Sequence, residues 1–206
     1  VARPDIVELS AGIGKDVKKQ LNNRVDELLE AANSSEKAEI GTYLHGLTEA
    51  YDRGEHVDVP AEYADDFSSY CQATSHLHHD GIEMFVINDD LKYAGSFDRM
   101  VSSDKFDGYR IGDLKTGAWA SSFGAFGVSL QLALYANAVL YDPSTNTRTP
   151  LPDALSKTEG LMFHMPVGKG ATTVYSLDIK TGWEWCQIAV ALRKARSARG
   201  IARPIH

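Results

Sequence analysis

Two strand-like segments in the middle of the chain each carry one aspartate, and their spacing limits how the chain can fold. The first, residues 91–101, contains Gly95-Ser96-Phe97-Asp98, and the second, residues 109–114, leads into Asp113-Leu114-Lys115-Thr116-Gly117. Residues 102–108 are polar and predict the turn of a hairpin. Opposed residues of a hairpin have a constant index sum, and the sum of 211 for Asp98 and Asp113 centres the turn between residues 105 and 106. We therefore expect the two aspartates to face each other across the ladder.

Lys115 is predicted to project from the same face as Asp113, because side chains two residues apart on a strand share a face. Two opposed carboxylates repel each other and destabilise a plain hairpin, so this arrangement calls for a compensating cation. Mg²⁺ is usually held by one or two carboxylates together with waters and substrate phosphate. On charge and spacing alone, the three side chains also fit a salt bridge on an exposed strand face.

The rest of the chain predicts helices first and then a mixture of strands and helices. The predicted helices cover residues 16–32, 36–53, about 60–77, 128–141 and 181–199. The further predicted strands cover residues 82–87, 161–167 and 172–179, and residues 142–152 are predicted as a loop. We expect a single domain over residues 1–206, with a helical part over residues 1–78 and a mixed α/β core with a C-terminal helix over residues 79–206.

The charge of the chain is acidic overall but uneven. Lys and Arg number 21 against 28 Asp and Glu, which gives a net charge of −7. An acidic chain is not what the phosphate-neutralising surface of a nucleic-acid binder predicts. From Gln187 to His206, however, there is no acid, and the bases include Arg193, Lys194, Arg196 and Arg199. This basic stretch fits either a phosphate-contacting patch or a solvated helix face.

Composition excludes several classes of protein. No apolar run approaches the ~20 residues that span a bilayer, so we expect no membrane partner. The two cysteines, Cys71 and Cys186, are too few for a disulfide framework or a four-cysteine iron–sulfur cluster, which indicates a cytoplasmic protein. The segment Gly12-Ile13-Gly14-Lys15 is too short for a P-loop, so ATP is not expected as a cofactor. Val1 in place of Met indicates that the chain begins inside a longer reading frame or after removal of a start segment.

Five short motifs in a fixed order resemble those of the PD-(D/E)XK nuclease superfamily, in particular its RecB-like and phage-type exonuclease branch. They are Gly41-Thr42-Tyr43-Leu44-His45, Glu83, Gly95-Ser96-Phe97-Asp98, Asp113-Leu114-Lys115-Thr116-Gly117 and Gln131-Leu132-Ala133-Leu134-Tyr135. The resemblance implies a restriction-endonuclease-like α/β core, with a central mixed sheet flanked by helices and an N-terminal helical region.

The resemblance also implies roles for individual residues. Asp98, Asp113 and the Leu114 carbonyl are expected as ligands of one or two Mg²⁺ or Mn²⁺ ions, and Lys115 as the catalytic lysine. His45 is similar to the additional ligand of the RecB-like branch, although a lone helical histidine is more often simply packed or exposed. Glu83 is expected in the catalytic cluster, or else as one polar residue on a half-buried strand.

Two further groups of residues are expected to contact DNA. Gln131 and Tyr135 lie one helical turn apart and resemble the glutamine and tyrosine with which relatives position DNA, although the same spacing fits core packing. The basic residues of the C-terminal helix, which we call the C-terminal patch, are Arg193, Lys194, Arg196 and Arg199.

The expected function is metal-dependent hydrolysis of DNA phosphodiester bonds. The resemblance favours an exonuclease of phage or bacterial DNA recombination or replication, located in the cytoplasm, or in the host cytoplasm if phage-encoded. An annealing protein or a helicase is the kind of partner it implies. Two alternatives stay open: a structure- or site-specific endonuclease of the same superfamily, and a non-catalytic DNA-binding or scaffold module.

Overall fold

A computed structural model describes residues 15–31, 34–117, 122–197 and 199 of the chain. The chain divides into two compact units, Val1–Tyr43 and Leu44–His206. The predicted single domain stays a prediction. Residue 32, at the predicted end of the first helix, and Val1, with the segment predicted to precede it, lie outside the described residues.

The N-terminal part of the chain is helical, as the sequence predicts. Helix α1 spans Lys15–Ala31, α2 spans Ser34–Asp52, and a short 3-10 helix at Ala61–Tyr63 leads into α3 at Ala64–Thr74. Gly54, with φ 77°, follows the end of α2, and its N–H donates to the Tyr51 carbonyl at 2.8 Å. This closure satisfies a helix-end carbonyl that would otherwise lack a partner.

Three antiparallel strands form the centre of the sheet. They are β1 at His78–Asn88, β2 at Tyr93–Ser103 and β3 at Phe106–Lys115. Strands β1 and β3 are longer than predicted, and β2 keeps its predicted length but is shifted by two residues. The β2–β3 turn is shorter, because residues 102, 103 and 106–108 continue the strands instead of joining the turn. The predicted register is confirmed near the aspartates, since Arg99 pairs with Gly112 and Met100 with Ile111, both with an index sum of 211. The predicted centre of the turn is wrong by one residue, because a register shift between Val101 and Ser103 pairs Ser103 with Phe106 and places the turn at residues 104–105.

The remaining elements complete a mixed sheet. After β3 come α4 at Ser122–Ala136, β4 at Val139–Asp142, β5 at Thr147–Pro150, β6 at Glu159–His164, β7 at Thr173–Asp178 and α5 at Ile179–Arg196. The strand order is β5-β4-β1-β2-β3-β6-β7. Only the β3–β6 pair is parallel among these neighbours, and it aligns Asp113 with Met162 and Lys115 with His164. This arrangement confirms the expected mixed α/β architecture.

Two predictions for residues 137–152 are wrong. The helix predicted to reach residue 141 ends at Ala136, and residues 139–142 form β4. The predicted loop contains β5, which pairs with β4 as a hairpin. Asn137 follows the last residue of the helix. Its side-chain amide donates to the Ala133 carbonyl at 2.9 Å, a carbonyl of the last helical turn. Pro150 is tolerated because β5 is an edge strand.

A hydrophobic core between the sheet and the last two helices fixes the position of β2 and β3. Phe97, Ile111, Leu132 and Ile179 are each fully buried within it. Burying a side chain of this size contributes roughly 1.5–3 kcal/mol. The strands that carry the two aspartates therefore belong to the most strongly packed part of the molecule.

Candidate active site

Asp113 is a buried carboxylate next to a lysine. Only 3% of the residue is exposed. Its Oδ2 atom lies 2.5 Å from the Lys115 ammonium and forms an ion pair with it. Burial raises the pKa of Asp113, the nearby Asp98 charge raises it further, and the Lys115 ammonium lowers it. The site thus holds negative charge at an energetic cost, and one ion pair offsets it only in part.

Asp98 lies where the pairing of β2 with its neighbours is interrupted. The β1–β2 ladder pairs Ile82 with Arg99 and Met84 with Phe97, and it skips Glu83 and Asp98 between them. The Asp98 carboxylate instead accepts the Leu114 N–H at 2.6 Å. Asp98 is 8% exposed, so its carboxylate is placed between the two strands and not in solvent.

His45 reaches this site from helix α2. Its Nδ1 lies 3.6 Å from Asp98 Oδ2, which is longer than a hydrogen bond. The side chain keeps 28% of its surface exposed. The structure therefore brings His45, Asp98, Asp113 and Lys115 together, as the sequence predicts, although their catalytic roles stay predictions.

A buried arginine holds α2 against β2. Arg99 is fully buried, and its guanidinium donates to Asp52 Oδ2 at 2.5 Å, to Thr48 Oγ1 at 3.1 Å and to the Asp98 carbonyl at 3.0 Å. The Tyr70 hydroxyl donates to the same Asp52 oxygen at 2.7 Å. Thr48 and Asp52 follow His45 on α2 by about one and two turns. The cluster therefore fixes the position of His45 relative to Asp98.

Sequence reasoning missed this cluster. The available signal was Arg99 itself, a charged residue directly before apolar Met100 and Val101 in a strand. A charged side chain at such a position is almost never fully buried unless it is paired. The sequence therefore indicated a buried acid somewhere, but it did not indicate that Asp52 on a distant helix would supply it.

Glu83 stands beside Asp98 with an unusual backbone. Its φ is 52°, a left-handed conformation that costs of order 1–3 kcal/mol for a residue other than glycine and is often found at functional sites. Burial raises the pKa of Glu83 to about 7, and the charges of Glu49 and Asp98 act in the same direction. Glu49, one turn after His45, was not among the predicted site residues. Its spacing from His45 was the signal that would have found it.

Gln131 and Tyr135 lie together on α4. The Gln131 amide donates to the Tyr135 hydroxyl at 3.3 Å. A Cβ atom at Gly95 would lie 2.6 Å from that hydroxyl, so the Tyr135 ring requires glycine at this position of β2. Packing against Gly95 thus accounts for part of the geometry of Tyr135, and the contact of both side chains with DNA stays a prediction.

The C-terminal patch is exposed. Arg193, Lys194 and Arg196 lie in the last turns of α5, and Arg199 follows the helix. Helix α5 packs on α4, where a Cβ at Gly182 would meet Ser129 Oγ at 2.6 Å and the Cys186 thiol lies 3.6 Å from the Leu130 carbonyl. No contact joins the patch to the aspartates among the described residues.

The donor set suits a hard divalent cation, although the side chains are not gathered around one point. No group of three or more His, Cys, Asp and Glu side chains in the described part of the chain converges as a metal site would. The raised pKa values of Asp113 and Glu83, to which the charges of neighbouring carboxylates contribute, nevertheless mark an excess of negative charge. Carboxylates with an imidazole fit Mg²⁺ or Mn²⁺.

Comparison with known families agrees with this fold. The family model of the PD-(D/E)XK nuclease superfamily matches residues 8–195. The chain therefore belongs to the PD-(D/E)XK nuclease superfamily, and its seven-stranded sheet with flanking helices is a restriction-endonuclease-like fold. No curated protein matches the chain. Among the described helices, none has the length and apolar character needed to cross a membrane.

Proposed function

We propose that the protein is a Mg²⁺- or Mn²⁺-dependent deoxyribonuclease that acts as an exonuclease. Membership of the superfamily suggests a metal-dependent nuclease. The observation that carries the proposal is the group formed by Asp98, Asp113 and Lys115 on adjacent strands, in which two neighbouring carboxylates are buried and a single ammonium pairs with Asp113. A purely structural salt bridge gains nothing from burying two neighbouring carboxylates with one ammonium.

Each residue of the site has a distinct task in this proposal. Asp98, Asp113, the Leu114 carbonyl and His45 would hold the metal. A bound divalent ion would lower the pKa of a water molecule bound to it. It would also offset negative charge on the phosphoryl oxygens in the transition state. Lys115 orients the attacking water or neutralises the scissile phosphate, because its ammonium is tethered beside Asp113.

Glu83, Gln131 and Tyr135 complete the site. Glu83, with a pKa of about 7, can hold or release a proton near neutral pH beside Asp98. Gln131 and Tyr135 support each other through their hydrogen bond and would position the DNA strand at the rim of the site. The exonuclease activity and a role in phage or bacterial recombination or replication rest on the likeness of the motifs to the RecB-like branch.

A time course on two substrates tests the proposal. End-labelled linear DNA and closed circular DNA are incubated with the protein in Mg²⁺, in Mn²⁺ and in EDTA. We expect metal-dependent release of short products from linear DNA and an intact circle, because an exonuclease requires an end. Cleavage of the circle would show an endonuclease of the same superfamily. DNA binding without cleavage of either substrate in any metal would show a non-catalytic DNA-binding module.

A further inference from the structure

A buried aspartate fixes the turn between β6 and β7. Asp66, on α3, is 2% exposed. Its carboxylate accepts three consecutive backbone N–H groups of the turn, from Gly168 at 2.6 Å, Lys169 at 3.1 Å and Gly170 at 2.7 Å. Both glycines have positive φ, 72° and 55°, which they adopt without a Cβ clash. The backbone on both sides of Lys169 is therefore held in one conformation.

The fixed turn lies beside the end of the strand that carries Asp113 and Lys115. The Met165 N–H donates to the Lys115 carbonyl at 2.9 Å, and the Val167 N–H donates to the Thr116 carbonyl at 3.1 Å. Lys169 follows Val167 by two residues, so the two Cα atoms lie within about 8 Å of each other. The turn that Asp66 fixes thus carries a lysine close to the end of β3, the strand of the candidate active site.

Lys169 is the cation that the turn presents. Its side chain is exposed, and none of the ion pairs in the described part of the chain involves it. An ammonium without an internal partner can bind a phosphate without first losing an ion pair. A backbone that is already fixed also loses less entropy when the lysine engages a ligand.

We infer that the β6–β7 turn, residues 166–172, is a DNA-binding element in which the Lys169 ammonium contacts a backbone phosphate next to the one that is cleaved. The inference rests on the proposed function. With a net charge of −7, the chain must hold DNA through local cations and not through its overall field. A phosphate contact of this kind positions the DNA strand in the site and does not depend on the base sequence.

Binding and cleavage by single-lysine variants test the inference. The dissociation constant of a labelled linear duplex is measured at several salt concentrations in EDTA, and kcat and KM are measured with Mg²⁺. For Lys169→Ala we expect about 3- to 10-fold weaker binding, a salt slope smaller by about one, and a KM that rises more than kcat falls. Lys169→Arg should retain most of the affinity.

The matched control is Lys105→Ala. Lys105 is exposed in the β2–β3 turn, beyond Ser103, the last residue of β2, which lies five residues and therefore about 16 Å from Asp98 along the strand. We expect its affinity, salt slope and activity to equal those of the unchanged protein. Unchanged binding by Lys169→Ala, or an equal loss in Lys105→Ala, would overturn the inference. If the unchanged protein binds DNA but does not cleave it with metal, the proposed nuclease fails, whereas the binding comparison still decides the role of Lys169.

Discussion

At the scale of single residues, the candidate site contains groups that lower the stability of the folded protein. The raised pKa of Asp113 means that the folded protein holds its ionised carboxylate less favourably than water does. The left-handed backbone of Glu83 adds a second local cost. Such costs persist where function requires them, so removing one should harm activity more than it harms the fold.

The first prediction concerns Asp113→Asn. We expect cleavage to fall by about 10²-fold or more, because the variant loses a charge needed in the transition state. The melting temperature in EDTA should stay equal or rise, since a buried charge is removed. Asp107→Asn, at an exposed position of the same strand, is the control and should change neither quantity. Near-normal turnover by Asp113→Asn would remove this residue from the catalytic centre.

The second prediction concerns pH and Glu83. Because its folded-state pKa of about 7 lies above the ordinary value of 4.5, the folded protein binds more protons than the unfolded chain between these pH values. The stability linked to protonated Glu83 is fully present below about pH 4.5 and is lost as the pH rises through 7.

Thermal unfolding of the metal-free protein from pH 5 to pH 8 tests this sign. The unchanged protein should lose melting temperature relative to Glu83→Gln as the pH rises. Glu62→Gln, at an exposed glutamate of the 3-10 helix, serves as the control and should follow the unchanged protein. Parallel curves for Glu83→Gln and the unchanged protein would show that Glu83 titrates as it does in the unfolded chain.

At the scale of secondary-structure elements, the third prediction concerns the attachment of α2 to β2. Arg99→Met leaves the buried Asp52 carboxylate without its cation, and breaking such a pair costs about 3–5 kcal/mol of unfolding free energy. Arg148→Met removes an exposed pair with Asp89 and should change the free energy of unfolding far less, because solvent screens that pair. Urea unfolding of both variants measures the difference. Similar small losses would show that the Arg99 cluster does not hold α2.

The sequence predicted most elements and the key register. Alternating apolar residues placed β2 and β3, and the polar turn between them fixed the pairing that puts Asp98 next to Asp113, because a one-residue slip would reverse the faces of both strands. The spacing of Gln131 and Tyr135 likewise placed both on one side of α4. These features depend on local patterns, which a single sequence displays.

Other features depend on contacts between distant segments and could not be predicted. The β4–β5 hairpin could not be predicted from the sequence. Val139, Leu140 and Tyr141 continue the apolar run of α4, and no glycine or proline separates them from the helix. The pairing of Arg99 with Asp52 joins residues 47 positions apart. The three N–H groups bound by Asp66 lie more than 100 positions from it. No periodicity or spacing connects such partners.

At the scale of the whole molecule, the fourth prediction concerns how an acidic protein holds DNA. Neutralising the C-terminal patch, Arg193, Lys194, Arg196 and Arg199, to Gln should weaken binding by similar factors for every DNA sequence and lower the salt slope. Titrations of labelled DNA at several salt concentrations measure both. Unchanged affinity and slope would show that the patch is a solvated helix face and would leave the β6–β7 turn as the main backbone contact.

The central claim is that Asp98 and Asp113 hold a divalent metal ion, and a crystal soaked in Mn²⁺ tests it most directly. The account predicts an anomalous difference peak between the two carboxylates, with the His45 imidazole and the Leu114 carbonyl within coordination distance. The same soak of Asp113→Asn should lose most of this peak. An absence of Mn²⁺ at both aspartates in crystals of protein that cleaves DNA with Mn²⁺, or a peak bound by other residues alone, would contradict the account.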